Sequence, residues 1–205
     1  MKKIPITGAL LLTLAISACG SKSTPEETSG EASSGKTETV DQTKDPEQNS
    51  VKSEFLIENK KLHAFSNPEK KDAFFIAIKG KNLLDGKVIF TITSAEGKQL
   101  LKEEFDANYL FGYDFTGDFK SKKDTDAFIK KRIESFFEEK HFSVPAIEED
   151  VVFEDQEYYI DKETWEEIKS NKQAISFHYR LGSEDGRHIA FSVKKQKAVM
   201  YYNCC

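Results

Sequence analysis

From residue 54 onward, apolar positions recur with two different periods. Phe74, Ile76 and Ile78 alternate with Phe75, Ala77 and Lys79, between the charged Glu69-Lys70-Lys71-Asp72 and Gly80. Val88, Phe90 and Ile92 alternate in the same way, and Gln99 to Phe105 returns after Ser94-Ala95-Glu96-Gly97-Lys98. A period of two with a glycine-bearing turn predicts a β-hairpin, with Gly97 free to take positive φ. The period then changes. Ile129, Ile133, Phe136 and Phe137 fall at i, i+4, i+7 and i+8, with Phe128 widening the stripe. That spacing predicts an amphipathic helix capped at Asp124 or Thr125 and ending near His141, before Pro145. A shorter helix is expected from Asp161, with Trp165 and Ile168 inward and Asn171 near its end.

The period of two returns at the C-terminus. Ile175, Phe177, Tyr179 and Leu181 share odd numbers with Ile189, Phe191 and Val193, and Gly182-Ser183-Glu184-Asp185-Gly186 lies between them. Both apolar sets face one side only if opposed residue numbers sum to an even number. Leu181 opposite Arg187 meets that condition and sets Tyr179 against Ile189 and Phe177 against Phe191. It places His178, Arg180, His188 and Ala190 on the other face. A third strand, from about Ala198 to Asn203, follows Lys194-Lys195-Gln196-Lys197. Strands, two helices, then strands, without a βαβα rhythm, predict an α+β domain. Its mostly antiparallel sheet is built from β-hairpins, with two helices packed on one face.

The first 53 residues have neither period. Met1-Lys2-Lys3 is basic, Ile4 to Ile16 is almost wholly apolar, and Ile16-Ser17-Ala18-Cys19 closes the run. The run is shorter than a stable membrane span and has the length of a signal-peptide apolar region. Its end resembles the bacterial lipobox: an aliphatic residue, two small residues, then cysteine. The resemblance implies cleavage between Ala18 and Cys19, with diacylglycerol, and then a further acyl chain such as palmitate, on Cys19. Two or more chains anchor a protein where one would not. Gly20, not Asp, follows the cysteine, which in a Gram-negative cell favours the outer membrane. Beyond this segment the chain resembles no characterised family.

From Gly20 to about Ser53, Ser, Thr, Glu, Lys and Gly dominate, and Val40 and Val51 are the aliphatic residues. No core can offset the ordering entropy of such a stretch. It reads as a tether with an r.m.s. reach of roughly 30 Å. The expected organisation is a signal peptide over 1–18, a lipidated cysteine and tether over 19–53, and a single domain over 54–205.

Charge narrows the partners. Among 205 residues the formal net charge is −5, and loss of Lys2 and Lys3 makes the mature chain two units more negative. Mean hydropathy is −0.57. An acidic chain without clustered Lys and Arg is not suited to nucleic acid. The expected partners are a membrane, through the anchor, and an envelope protein or glycan.

Catalytic signatures are absent. Gly80 to Val88 superficially suggests a phosphate loop. It has one residue too many between its glycines, and Val88 stands where a hydroxyl is needed. It reads as a loop between strands. No Gly-x-Ser-x-Gly or His-Glu-x-x-His occurs. The acidic run from Glu148 to Asp161 lacks Ca²⁺-loop spacing and reads as a solvated connection. Tyr109, Phe111, Tyr113, Phe115 and Phe119 either line a groove or pack as an ordered loop.

Cys204 and Cys205 remain as adjacent thiols. One thiol buried and one exposed, a vicinal disulfide, an intermolecular disulfide and a thiolate metal site all stay open. A metal would want further ligands, for which His178 and His188 are candidates if the third strand brings the tail beside them. His63 and His141 carry no local signature. No cofactor and no catalytic residue is implied. The expectation is an envelope lipoprotein whose domain is a non-catalytic binding or interaction module. Metal or redox handling through Cys204 and Cys205 is one alternative, and an envelope hydrolase is another.

Overall fold

A computed structural model describes residues 54–153 and 160–204. The signal peptide, Ala18, Cys19 and the tether lie outside these residues, as do Cys205 and the acidic residues Glu154, Asp155 and Glu157.

Among these residues, eight strands and two α-helices form the expected class of fold, α+β with antiparallel strands joined largely by hairpins. The strands divide between two four-stranded sheets. The first is a simple meander of β1 (Ile57–Ala64), β2 (Lys71–Lys79), β3 (Lys87–Thr93) and β4 (Gln99–Asp106). Then come α1 (Lys122–Ser135), the short β5 (Phe142–Ser143) and α2 (Lys162–Ser170). The second sheet is β5 followed by β6 (Ser176–Leu181), β7 (Asp185–Ser192) and β8 (Lys197–Cys204), in that order.

The main core is aromatic. Phe74 and Phe90 of the first sheet meet Phe177 of the second at 5.4 and 5.8 Å between ring centroids. Phe136 and Phe137 close the same space from the end of α1. Ile129 and Ile133 of α1 belong to this cluster. Trp165 and Ile168 of α2 belong to a second cluster, with Ala190 and Val199 on the opposite side of the second sheet. The two helices thus contribute to different clusters, and the second sheet buries apolar side chains on both of its faces.

Local differences from the periodic reading have local causes. The cap of α1 is Ser121, whose hydroxyl accepts the Asp124 backbone N–H; Asp124 lies in the first turn, where its charge suits the helix dipole. The helix stops at Ser135, short of His141, with Phe136 as its C-cap; Phe136 and Phe137 are both buried just beyond it. Asn59 of β1 donates its amide to the carbonyls of Ile133 and Glu134 at 2.8 and 3.0 Å, satisfying that helix end. The second helix is capped by Asp161, as its spacing predicts.

The β6–β7 pairing keeps the expected parity but is displaced by two residues. Leu181 faces Asp185, Tyr179 faces Arg187, and Phe177 faces Ile189. The connection is the three residues 182–184, with Gly182 at φ +66°. An even displacement leaves every side chain on its predicted face.

Asp72, at the charged border of β2, is fully buried. Its carboxylate accepts the Ser66 backbone N–H at 2.6 Å, the Ser66 hydroxyl at 3.1 Å and the Ala95 N–H at 3.1 Å. It ties the β1–β2 connection to the β3–β4 turn. Gly80 to Gly86 is an inter-strand loop, and Lys87 and Val88 already belong to β3. Gly86 is required there because an added Cβ would lie 2.4 Å from Ile78 Cγ2 and 3.1 Å from the Asn82 carbonyl oxygen.

Candidate functional site

The side chains with the most chemical capacity gather on the second sheet, on the face away from the aromatic core. His178 of β6 stands directly opposite His188 of β7, and their rings stack with centroids 5.5 Å apart. His141, just before β5, lies 5.0 Å from His178, edge to face. The sequence gives His141 no signature; β5 pairing with β6 brings it there.

The tail reaches the same place by an irregularity in the β7–β8 pairing. His188 faces Tyr202, but Ile189 faces Met200, so Tyr201 is an extra residue on β8. The bulge changes the parity of the residues beyond it. It therefore places Cys204, not Asn203, opposite Gly186 and beside the histidines. Cys204 is a half-buried free thiol.

These residues share two adjoining hollows. The first, about 540 Å³, is walled by His141, His178 and His188 with Arg132 of α1, Arg180 of β6 and Cys204. The second, about 730 Å³, is largely apolar, with Trp165, Phe153 and Ile147 among its walls. His188 and Cys204 border both. In the second, Tyr201 donates its hydroxyl to the Ala146 carbonyl at 2.6 Å, and burial pushes that phenol up to about 12.

Electrostatics in the first hollow favour neutral imidazole. Burial lowers the pKa of His178, and the neighbouring His141 and His188 lower it further. Burial alone lowers that of His188. The Nδ1 of His141 donates to the Phe136 carbonyl at 2.9 Å, which fixes its tautomer.

Behind this face a polar network links the two sheets. Tyr179 donates its hydroxyl to Glu103 of β4 at 2.9 Å, and Arg187 pairs with the same carboxylate at 3.2 Å and with Asp185 at 2.7 Å. Burial, reinforced by Glu103, holds the Tyr179 phenol well above its ordinary value. The Asp185 hydrogen bond comes first in raising Arg187. Glu103 is half-buried on the core-facing side of β4, a position that hydrophobic patterning does not reveal.

The remaining candidates fall elsewhere. Phe111, Phe115 and Phe119 pack on one another and on Phe128 of α1, with centroids 4.4–5.1 Å apart, so most of that aromatic run is an ordered loop. The two tyrosines are exceptions: Tyr109 is exposed, and Tyr113 lines the first hollow and donates to Glu184 at 2.9 Å. His63 stacks on Phe142 at 3.7 Å and pairs with Glu139. Glu148, Glu149 and Asp150 are exposed.

Among the described residues, no three His, Cys, Asp or Glu side chains converge closely enough to hold a metal ion. The two candidate histidines are nevertheless brought together, with Cys204 on their face. No described helix is long and apolar enough to cross a membrane. Compared with protein-family models, with curated proteins and with solved structures, the chain matches none of them.

Proposed function

We propose that this chain is an envelope lipoprotein, acylated on Cys19, whose α+β domain is a tethered, non-catalytic binding or interaction module. The observation that carries the reading is the order of residues at the start: Met1-Lys2-Lys3, the apolar run from Ile4, then Ile16-Ser17-Ala18-Cys19. The polar stretch that follows suits a tether. The domain supplies supporting features. Two solvent-reaching hollows adjoin on one face.

Metabolic labelling with palmitate tests the anchor. The native chain should take up label and enter the detergent phase on phase separation. Cys19→Ala should do neither. An unlabelled native chain recovered from the aqueous phase would sink the proposal.

A further inference from the structure

The histidine-lined hollow reverses the charge of the protein around it. The chain as a whole is net −5. Yet Arg132 enters the hollow from α1 and Arg180 from β6, while Asp114 is the single carboxylate lining it among the described residues. Arg187 is also present, but its charge is answered by Asp185 and Glu103.

Arg132 and Arg180 are not answered in that way. A guanidinium has five N–H donors. Arg180 gives one to the Ser183 carbonyl at 2.6 Å. Arg132 gives one to the Arg180 carbonyl at a long 3.4 Å and stands 3.8 Å from Asp114. Its Nε is buried with no acceptor among the described residues. Two under-used guanidiniums from different elements, with three imidazoles beside them, suit a group with more than two acceptor oxygens. A planar carboxylate is satisfied by one guanidinium fork; a phosphate offers oxygens in several directions.

We infer that this hollow binds a phosphate group, held between Arg132 and Arg180 and bordered by His141, His178 and His188. At about 540 Å³ it is far larger than bare phosphate, so the group belongs to a larger molecule. That molecule is either a soluble phosphate ester or a membrane phospholipid. This deepens the binding-module reading and rests on it, but it does not depend on acylation.

Proton uptake follows from the geometry. A bound anion favours charged imidazole, so binding strengthens as pH falls. The groups around the two stacked rings come from every adjoining element. Arg132 belongs to α1, Lys140 and His141 to the turn before β5, and Tyr113 and Asp114 to the loop ahead of α1. Arg180 and Tyr179 belong to β6 and Arg187 to β7; Tyr201, Tyr202 and Cys204 belong to β8, and Glu148 precedes α2. Cations outnumber carboxylates in this set.

The test is NMR of the histidine ring protons of the full chain in dodecyl maltoside micelles, which carry no phosphate, with inorganic phosphate or chloride at equal ionic strength. Phosphate should raise the titration midpoints of His178 and His188 by about half a unit or more. His63, outside the hollow, should not move. Arg180→Gln, at an exposed position, should weaken apparent phosphate affinity about tenfold or more. Arg132→Lys, which keeps charge but loses the fork, should weaken it less. Phosphatidylglycerol added to the micelles separates the two sources: a shift with that lipid supports a phospholipid, and a shift with inorganic phosphate alone supports a soluble ester. No shift with either overturns the inference, as does an equal shift in Arg180→Gln or at His63. Repeating the titration with Cys19→Ala keeps the two proposals separable, since a phosphate response in an unanchored chain leaves the hollow assigned whatever palmitate labelling shows.

Discussion

His178 and His188 stack across neighbouring strands with ring planes 23° apart, so two imidazoles share one partly desolvated wall. Both have folded pKa values below the ordinary 6.5. The folded state therefore binds fewer protons than the unfolded state as pH falls below that value, and stability rises with pH there. The pair's contribution is fully present above about 6.5 and is lost as pH falls through the lowered values. Urea midpoints should fall between pH 7.5 and pH 5. In His188→Gln that fall should be smaller. An equal or steeper fall in the variant would contradict the account.

Glu103 is the acceptor for both Tyr179 and Arg187 between the sheets. Truncating it leaves a largely buried phenol and a guanidinium short of an acceptor. Glu103→Ala should cost about 2–4 kcal/mol in urea unfolding. Glu103→Gln retains an acceptor and should cost less. Equal costs for the two would mean that side-chain volume, not hydrogen bonding, matters there.

Asp72 holds two backbone N–H groups and a hydroxyl with no exposure of its own. Asp72→Ala strands these donors, and a loss of about 2–4 kcal/mol is expected. Hydrogen exchange should show the Ser66 and Ala95 amides losing protection before the amides of β3. Retained protection at both would count against the clamp.

Gly86→Ala places a methyl against Ile78 and two backbone carbonyls. Backbone on two sides prevents simple relief, so about 1–3 kcal/mol of overpacking is expected. Ile78→Ala, which removes the Cγ2 methyl, should recover part of this as a favourable coupling in a double-mutant cycle. Gly97→Ala meets no atoms within 4 Å, but its φ of +86° makes it strained for a different reason. Ile78→Ala should show no such coupling with Gly97→Ala.

Strands with buried apolar faces are legible in the chain because burial and side-chain alternation share one period: β2, β3, β4 and β6 to β8 all sit where the pattern puts them. The first strand escaped that reading. Ile57 to Ala64 has few apolar residues, and its inward positions include Asn59 and His63, which satisfy a helix end and stack on Phe142. Such partners lie far away in sequence, so no local period announces them. The aromatic run before α1 was ambiguous for the same reason, since Phe128 decides it.

For the candidate site, parity alone put His178, Arg180 and His188 on one face, and an even displacement of the strand pairing could not disturb that. The sequence by itself thus determined the periods, the second helix cap and the resemblance of the first nineteen residues to a lipobox. Tertiary structure decided the division into two sheets, the arrival of His141 and Arg132 from other elements, and the bulge at Tyr201 that turns Cys204 toward them. The physical reason is range. Period and capping are interactions between near neighbours along the chain, whereas a charged hollow is made by residues that meet only when sheets and helices pack.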